Sequence, residues 1–155
     1  MTKEELKSYL ESNYPELTYS ESGKYDLLFI VEAQKLVKTC EKLRDDVKLQ
    51  FNYLGNISGV DTTENYLTVY QIASISNKLR LDIKVILPHD NPSINSVQSV
   101  WPAANWYERE IWELYGIEIH NHDNLTRFLL PDDWDQGHPM RKDWDAPDFI
   151  RFPQK

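Results

Sequence analysis

A single cysteine, Cys40, stands in the whole chain. One thiol cannot close a disulfide within the chain, and it falls short of the four or so thiolates that hold an iron–sulfur cluster. Cys40 also lies on the apolar stripe of an expected helix, where a free thiol acts as a small core residue. Glycine is scarce: the five glycines are scattered, with no G-x-x-x-x-G-K-[ST] and no G-x-G-x-x-G to cradle phosphate. No G-x-S-x-G nucleophile elbow occurs. Long apolar runs are missing as well. The longest, Leu27-Leu28-Phe29-Ile30-Val31, is far below the ~20 residues that span a bilayer. The charged opening MTKEELKSYLESNYPE holds no signal-peptide core, so a cytoplasmic location is expected, with membrane contact only through a partner. Cations are in short supply: 17 Lys and Arg against 25 Asp and Glu leave a net charge of −8. Phosphate neutralisation needs the opposite balance, which argues against a nucleic-acid binder.

What is present is one domain's worth of chain. The 155 residues are 41% hydrophobic and 27% charged, enough for a real core. Thr2 and Glu5 form a T-x-x-E capping box ahead of Leu6, Tyr9 and Leu10, and Pro15 ends that helix. A buried strand is expected over 25–31 and a one-sided helix over 32–44, with Ala33, Leu36, Val37 and Cys40 inward. Leu49, Phe51 and Tyr53 alternate like a strand, 55–64 reads as a loop, and strands follow over 65–74 and 79–87 around a turn at Ser76-Asn77-Lys78. A loop over 89–96 leads to a helix over 102–115, with Pro102 near its start and Gly116 just beyond its end. The fold class is α+β. A compact domain over 1–116, with a small mixed sheet of about four strands packed with helices, precedes a long, mostly extended tail over 117–155. A tail of that length without structure of its own suggests function or a partner.

The last expected helix carries Glu108, Arg109, Glu110 and Glu113. Two carboxylates there could be an acid–base pair or half a metal site. Residue spacing favours an exposed salt-bridged face, with Arg109 and Glu113 at i,i+4 and each such pair contributing ~0.3–0.5 kcal/mol. His120 and His122 would point the same way in an extended segment, yet they fall short of a tetrahedral metal set, and surface loop histidines are the simpler reading. In the tail, Arg127, Arg141, Lys142 and Arg151 are set among Asp132, Asp133, Asp135, Asp143, Asp145 and Asp148, with Trp134 and Trp144 as large apolar anchors. Such residues suit a partner's groove or a tail folded back on its own domain, and both stay open. A reading from another class is a stand-alone enzyme using Glu108 or Glu110 with His138 as acid and base.

The run over 101–117, with Glu108, Arg109, Glu110, Glu113, Leu114, Tyr115, Gly116 and Ile117, resembles the signature of the 30-kDa subunit of respiratory complex I and its relatives. A second block follows at the family's spacing: His122, Leu125, Arg127 and Leu129-Leu130-Pro131-Asp132-Asp133-Trp134. The third is Gly137-His138-Pro139-Met140-Arg141-Lys142-Asp143, followed by the aromatic Trp144. Residues 51–61 and 70–74 are similar too. The chain departs from the family at Asn121-His122-Asp123, where G-H-P is usual, and at Thr126, which replaces an arginine. Ala146-Pro147-Asp148-Phe149 resembles the ferredoxin-linked photosynthetic branch.

The resemblance implies a non-catalytic structural subunit in the hydrophilic arm of an NADH (or ferredoxin):quinone oxidoreductase, or the equivalent subunit of a membrane-bound energy-converting hydrogenase. It implies no cofactor and no metal on this chain. Quinone, iron–sulfur clusters or a nickel–iron centre would belong to partner subunits. Docking on the large hydrogenase-like, 49-kDa type subunit and on neighbouring iron–sulfur subunits would use Glu108, Arg109, Glu110, Glu113, Arg127, Trp134, His138, Pro139, Arg141, Lys142, Asp143 and Trp144.

Overall fold

The computed structural model describes residues 1–23 and 26–146. Helix α1, Lys3–Asn13, starts on the expected capping box: Glu5 N–H donates to Thr2 Oγ1 and Thr2 N–H to Glu5 Oε2. It buries Leu6 and Leu10. The hydroxyls of Tyr9 and Tyr14 both donate to Asp46 Oδ2, at 2.9 and 2.8 Å, which ties α1 to the end of α2. Helix α2, Leu36–Asp45, follows a single 3-10 turn and buries Leu36, Thr39, Cys40 and Leu43.

The main sheet is mixed, in the order β1-β2-β5-β4-β3. Its strands are β1 (Thr18–Ser20), β2 (Leu27–Ile30), β3 (Tyr53–Asp61), β4 (Asn65–Ser74) and β5 (Leu79–Pro88). Within this sheet β2 and β5 pair in parallel and the other neighbours are antiparallel. Tyr66, Thr68, Tyr70 and Ile72 of β4 alternate inward, as do Leu81, Ile83 and Val85 of β5. Their apolar side chains join Leu36, Cys40 and Leu43 of α2 in one core, with Ile111 of helix α3, Ala104–Tyr115. Each fully buried Leu or Ile in such a core contributes about 1.5–3 kcal/mol. The other sheet face is partly open.

The α+β class stands, with five strands rather than about four. The expected loop over 55–64 is mostly strand β3. Small residues hide its alternation, and a bulge between Leu54 and Asn56 breaks its register. Gly59 is bare for packing, not for a turn: a Cβ there would lie 2.7 Å from the Tyr115 ring and 3.3 Å from Ile111. Leu49 and Phe51 are buried but not in a strand, because the chain turns at Gln50 with φ of 50°. Strand β1 was not legible at all. The loop over 89–96 contains β6, Ser93–Asn95, which pairs in parallel with β7, Glu118–His120. The segment after Gly116 therefore begins inside the structure, with Ile117 and Ile119 in the core. Tyr25, Pro147-Asp148-Phe149 and Arg151 lie outside the described residues. Among the described residues, no helix is long and apolar enough to cross a membrane.

Candidate functional site

Helix α3 organises the region where the three signature blocks meet. Of the expected exposed, salt-bridged face, only the exposure is found, and only at Glu110. Glu108, Arg109 and Glu113 are 1%, 7% and 3% exposed. Buried charges need close partners, and each of these finds them in the chain's own backbone or core.

Glu108 receives the Ser96 hydroxyl at 2.5 Å and the Val97 N–H at 2.7 Å. It thereby caps the turn in which Val100 and Trp101 donate back to Val97. Burial pushes the Glu108 carboxyl up to about 7, against the opposing pull of those two hydrogen bonds. The His122 side chain is buried beside it, with Nε2 3.9 Å from Glu108 Oε2. Asn124 N–H donates to His122 Nδ1, so the neutral ring carries its proton on Nε2 and donates to the Asn105 carbonyl at 3.1 Å.

Arg109 and Glu113 are one turn apart but do not pair with each other. Arg109 donates to the carbonyls of Thr126, at 2.7 Å, and Arg127, at 3.3 Å. Glu113 accepts from the N–H groups of Phe128, Leu129 and Leu130 at 3.3, 3.1 and 2.7 Å. A cation holds the carbonyls and a carboxylate holds the amides of one continuous loop. The Arg109 guanidinium also lies 4.6 Å from the Trp106 ring centre and 4.8 Å from that of Phe128. Those two rings meet edge to face at 5.2 Å.

The C-terminal end of α3 is capped by distant residues. Gly116 takes φ of 71° and donates to Trp112. The next carbonyls, of Glu113, Leu114 and Tyr115, are met by His138 Nδ1 at 2.9 Å, Met140 N–H at 3.1 Å and Arg141 Nε at 2.6 Å. A Cβ on Gly116 would run into Arg141 and His138. Lys142 N–H then donates to Asp61 Oδ2 at 2.8 Å, and Thr63 N–H to the other oxygen at 2.7 Å. Burial alone would raise the Asp61 carboxyl, but these amides, with His89 nearby, hold it below the ordinary carboxylate range. The rings of Trp134 and Trp144 lie tilted against each other at 6.1 Å and donate from Nε1 to the carbonyls of Gly137 and Gln136. Arg127 Nη1 donates to the Trp134 carbonyl at 2.6 Å.

Of the residues singled out in the sequence, Glu108, Arg109, Glu113, Arg127, Trp134, His138, Arg141 and Trp144 thus have partners within the chain. Pro139 is half-buried, and Glu110, Lys142 and Asp143 are exposed. Glu108 faces the 96–97 turn while His138 sits at the end of α3, so the two are not brought together. His120 is exposed near Glu118, and its pairing with His122 on one metal does not form. Among the described residues, no group of three or more His, Cys, Asp or Glu is placed to hold a metal ion. Sequence reasoning missed Asp61, Ser96, Trp106 and Phe128. Asp61 closes the similar run over 51–61 and Trp106 lies within the run over 101–117, which was the one signal of each; Ser96 and Phe128 become visible only through their contacts.

The sequence profile of the respiratory-chain NADH dehydrogenase 30 Kd subunit matches residues 29–149. An NADH-quinone oxidoreductase subunit of Roseiflexus sp. (strain RS-1) is 40% identical over 121 residues, which make up 76% of this chain and 69% of that protein. Two solved structures share the fold. A chain described as Nqo5 of the trypsin-resistant fragment (1-134) is 22% identical at a TM-score of 0.67, covering 80% of this chain and 100% of that one. A chain of the membrane-bound sulfane sulfur reductase, an archaeal respiratory membrane complex, is 23% identical at a TM-score of 0.77, covering 99% and 95%. With its profile matched across most of the sequence, including all three blocks that converge on α3, the chain belongs to the respiratory-chain NADH dehydrogenase 30 Kd subunit family.

Proposed function

We propose that this chain is a structural, non-catalytic subunit of a complex I-like NADH (or ferredoxin):quinone oxidoreductase, docked through α3 and the segment after it on the large 49-kDa type subunit. One observation carries the reading. Four residues of the signature blocks are directed at the chain's own main chain, where they fix the shape of a surface: Arg109 and Glu113 hold the 126–130 loop, and His138 and Arg141 cap α3. Residues used in this way build a platform. On this reading quinone, iron–sulfur clusters or a nickel–iron centre reside in neighbouring subunits, and the chain meets the cytoplasmic side of the membrane only through the complex.

The test is purification from native membranes through a tag on this chain. The 49-kDa type subunit and iron–sulfur subunits are expected to co-purify with quinone reductase activity, while the isolated chain reduces no quinone with added electron donor. Quinone reduction by the isolated chain, or its recovery from membranes without partners, would overturn the proposal. Recovery with a nickel–iron hydrogenase would reassign it to that class of complex.

A further inference from the structure

Trp106 is 58% exposed, Phe128 39% and the following residue, Leu129, 51%; the Trp106 and Phe128 rings meet edge to face in an apolar patch on the outside of α3 and its loop. The patch is held rigidly. Five hydrogen bonds, two donated by Arg109 and three accepted by Glu113, fix residues 126–130, and the Arg109 guanidinium lies against both aromatic rings. Two charges are thus buried to keep two large rings facing outward. An exposed Trp on a fixed frame loses little freedom on contact, which is what an energetically dominant interface residue needs. Exposed carboxylates flank the patch: Glu110 lies one turn beyond Trp106 on α3, and Asp132 and Asp133 follow the loop. Arg127 is the exposed cation among them, and it already donates to Trp134.

We infer that Trp106, Phe128 and Leu129 form the anchor by which this chain docks, and that the partner surface is an aliphatic pocket rimmed by Lys and Arg. This rests on the structural-subunit reading above and deepens it. The partner's cations would meet Glu110, Asp132 and Asp133, which favours fast, salt-sensitive encounter, while the aromatic anchor sets the lifetime of the contact. The rival surface is the open face of the sheet, where Val60, Leu67 and Ile86 are cross-strand neighbours on β3, β4 and β5.

The experiment uses the intact complex with a benzophenone side chain installed at position 106 or at position 86, and maps the crosslinked peptide. The inference expects a crosslink from 106 into a subunit peptide carrying Lys or Arg beside aliphatic residues, and none from 86. Trp106→Ala is expected to lower recovery of assembled complex about tenfold or more, while the isolated chain still folds with a Tm lowered by only a few degrees for the lost contacts with Arg109 and Phe128. Glu110→Lys is expected to weaken assembly most at low salt. A crosslink from 86 but not from 106, or one from 106 into an acidic peptide, sinks the anchor while leaving the structural-subunit reading intact. No crosslink from either position, with no co-purifying subunit, sinks both. Should Trp106→Ala fail to fold, the crosslinking decides alone.

Discussion

Arg141 Nε donates to the carbonyl oxygen of Tyr115 at 2.6 Å, across 26 residues of sequence. The last carbonyls of a helix have no partner within it, and its C-terminus carries partial negative charge. Helix α3 has no basic residue in its own last turn, so Arg141 supplies both the donor and the charge. Arg141→Ala is expected to cost roughly 1–2 kcal/mol, or about 2–8 °C in Tm. Arg141→Lys should recover only part, because a point charge cannot reproduce the guanidinium geometry. Thermal unfolding followed by circular dichroism measures both; an unchanged Tm in Arg141→Ala would remove the cap from the account.

Gly116 is the counterpart of that contact. Its φ of 71° costs an L-residue about 1–2 kcal/mol. A Cβ would also strike Arg141 and His138. Gly116→Ala is therefore expected to destabilise more than Arg141→Ala, and the double variant to cost less than the sum. Strict additivity in a double-mutant cycle would show that the clash is absent.

Glu113 offers a local readout. In Glu113→Gln one neutral oxygen replaces a carboxylate that accepts three amides. Hydrogen exchange at Phe128, Leu129 and Leu130 is expected to accelerate roughly tenfold to a hundredfold, with β4 amides unchanged. Acceleration spread over the whole chain would mean that Glu113 supports the fold globally instead of the loop.

Glu108 sets a pH dependence. Its carboxyl is raised from 4.5 to about 7, so between these values the folded chain binds more protons than the unfolded one. The stability tied to protonated Glu108 is fully present below about 4.5 and is lost as pH rises through about 7, on the order of 3 kcal/mol in all. Asp61 and Asp46 act with the opposite sign: both are held low, so their contribution is lost as pH falls below the ordinary carboxylate range. Glu108→Gln keeps a neutral side chain of the same shape. Urea unfolding of both forms across this window should give a difference that grows in favour of the variant from about pH 4.5 to about 7 and levels off above it. Parallel curves would refute the assignment.

Gly59 tests the closeness of α3 to β3. Gly59→Val must displace Tyr115, and overpacking of this kind costs about 1–3 kcal/mol. A Tm equal to that of the parent would show that the helix can move aside freely.

Elements with a strong local signal were legible. The capping box gave α1, one-sided apolar spacing gave α2, the Pro102 and Gly116 boundaries gave α3, β-branched and aromatic content gave β4, and strict alternation gave β5. Strand β3 was lost because Gly55, Ser58 and Gly59 carry too little side chain to show alternation. Strands β1, β6 and β7 are three residues each, too short for any period to emerge. At the site, Arg109 and Glu113 looked like an i,i+4 ion pair because spacing records who could meet on a helix, not whether a loop 15 or more residues later offers better partners.

The amino-acid order is enough to establish the α+β class, a single thiol and no phosphate-loop motif in this sequence, and the three ordered blocks of the family. What those blocks do follows from the folded arrangement. His138, Met140 and Arg141 reach the last carbonyls of α3 because β6 and β7 pair and Asp61 catches Lys142 N–H, bringing the segment after Gly116 back onto the domain. No local pattern encodes that return, since the hydrogen bonds that hold it join residues 25 to 81 positions apart. A partner that buries Trp106 and Phe128 is likewise invisible in a single chain's periodicity; only their fixed, outward position on the folded surface points to it.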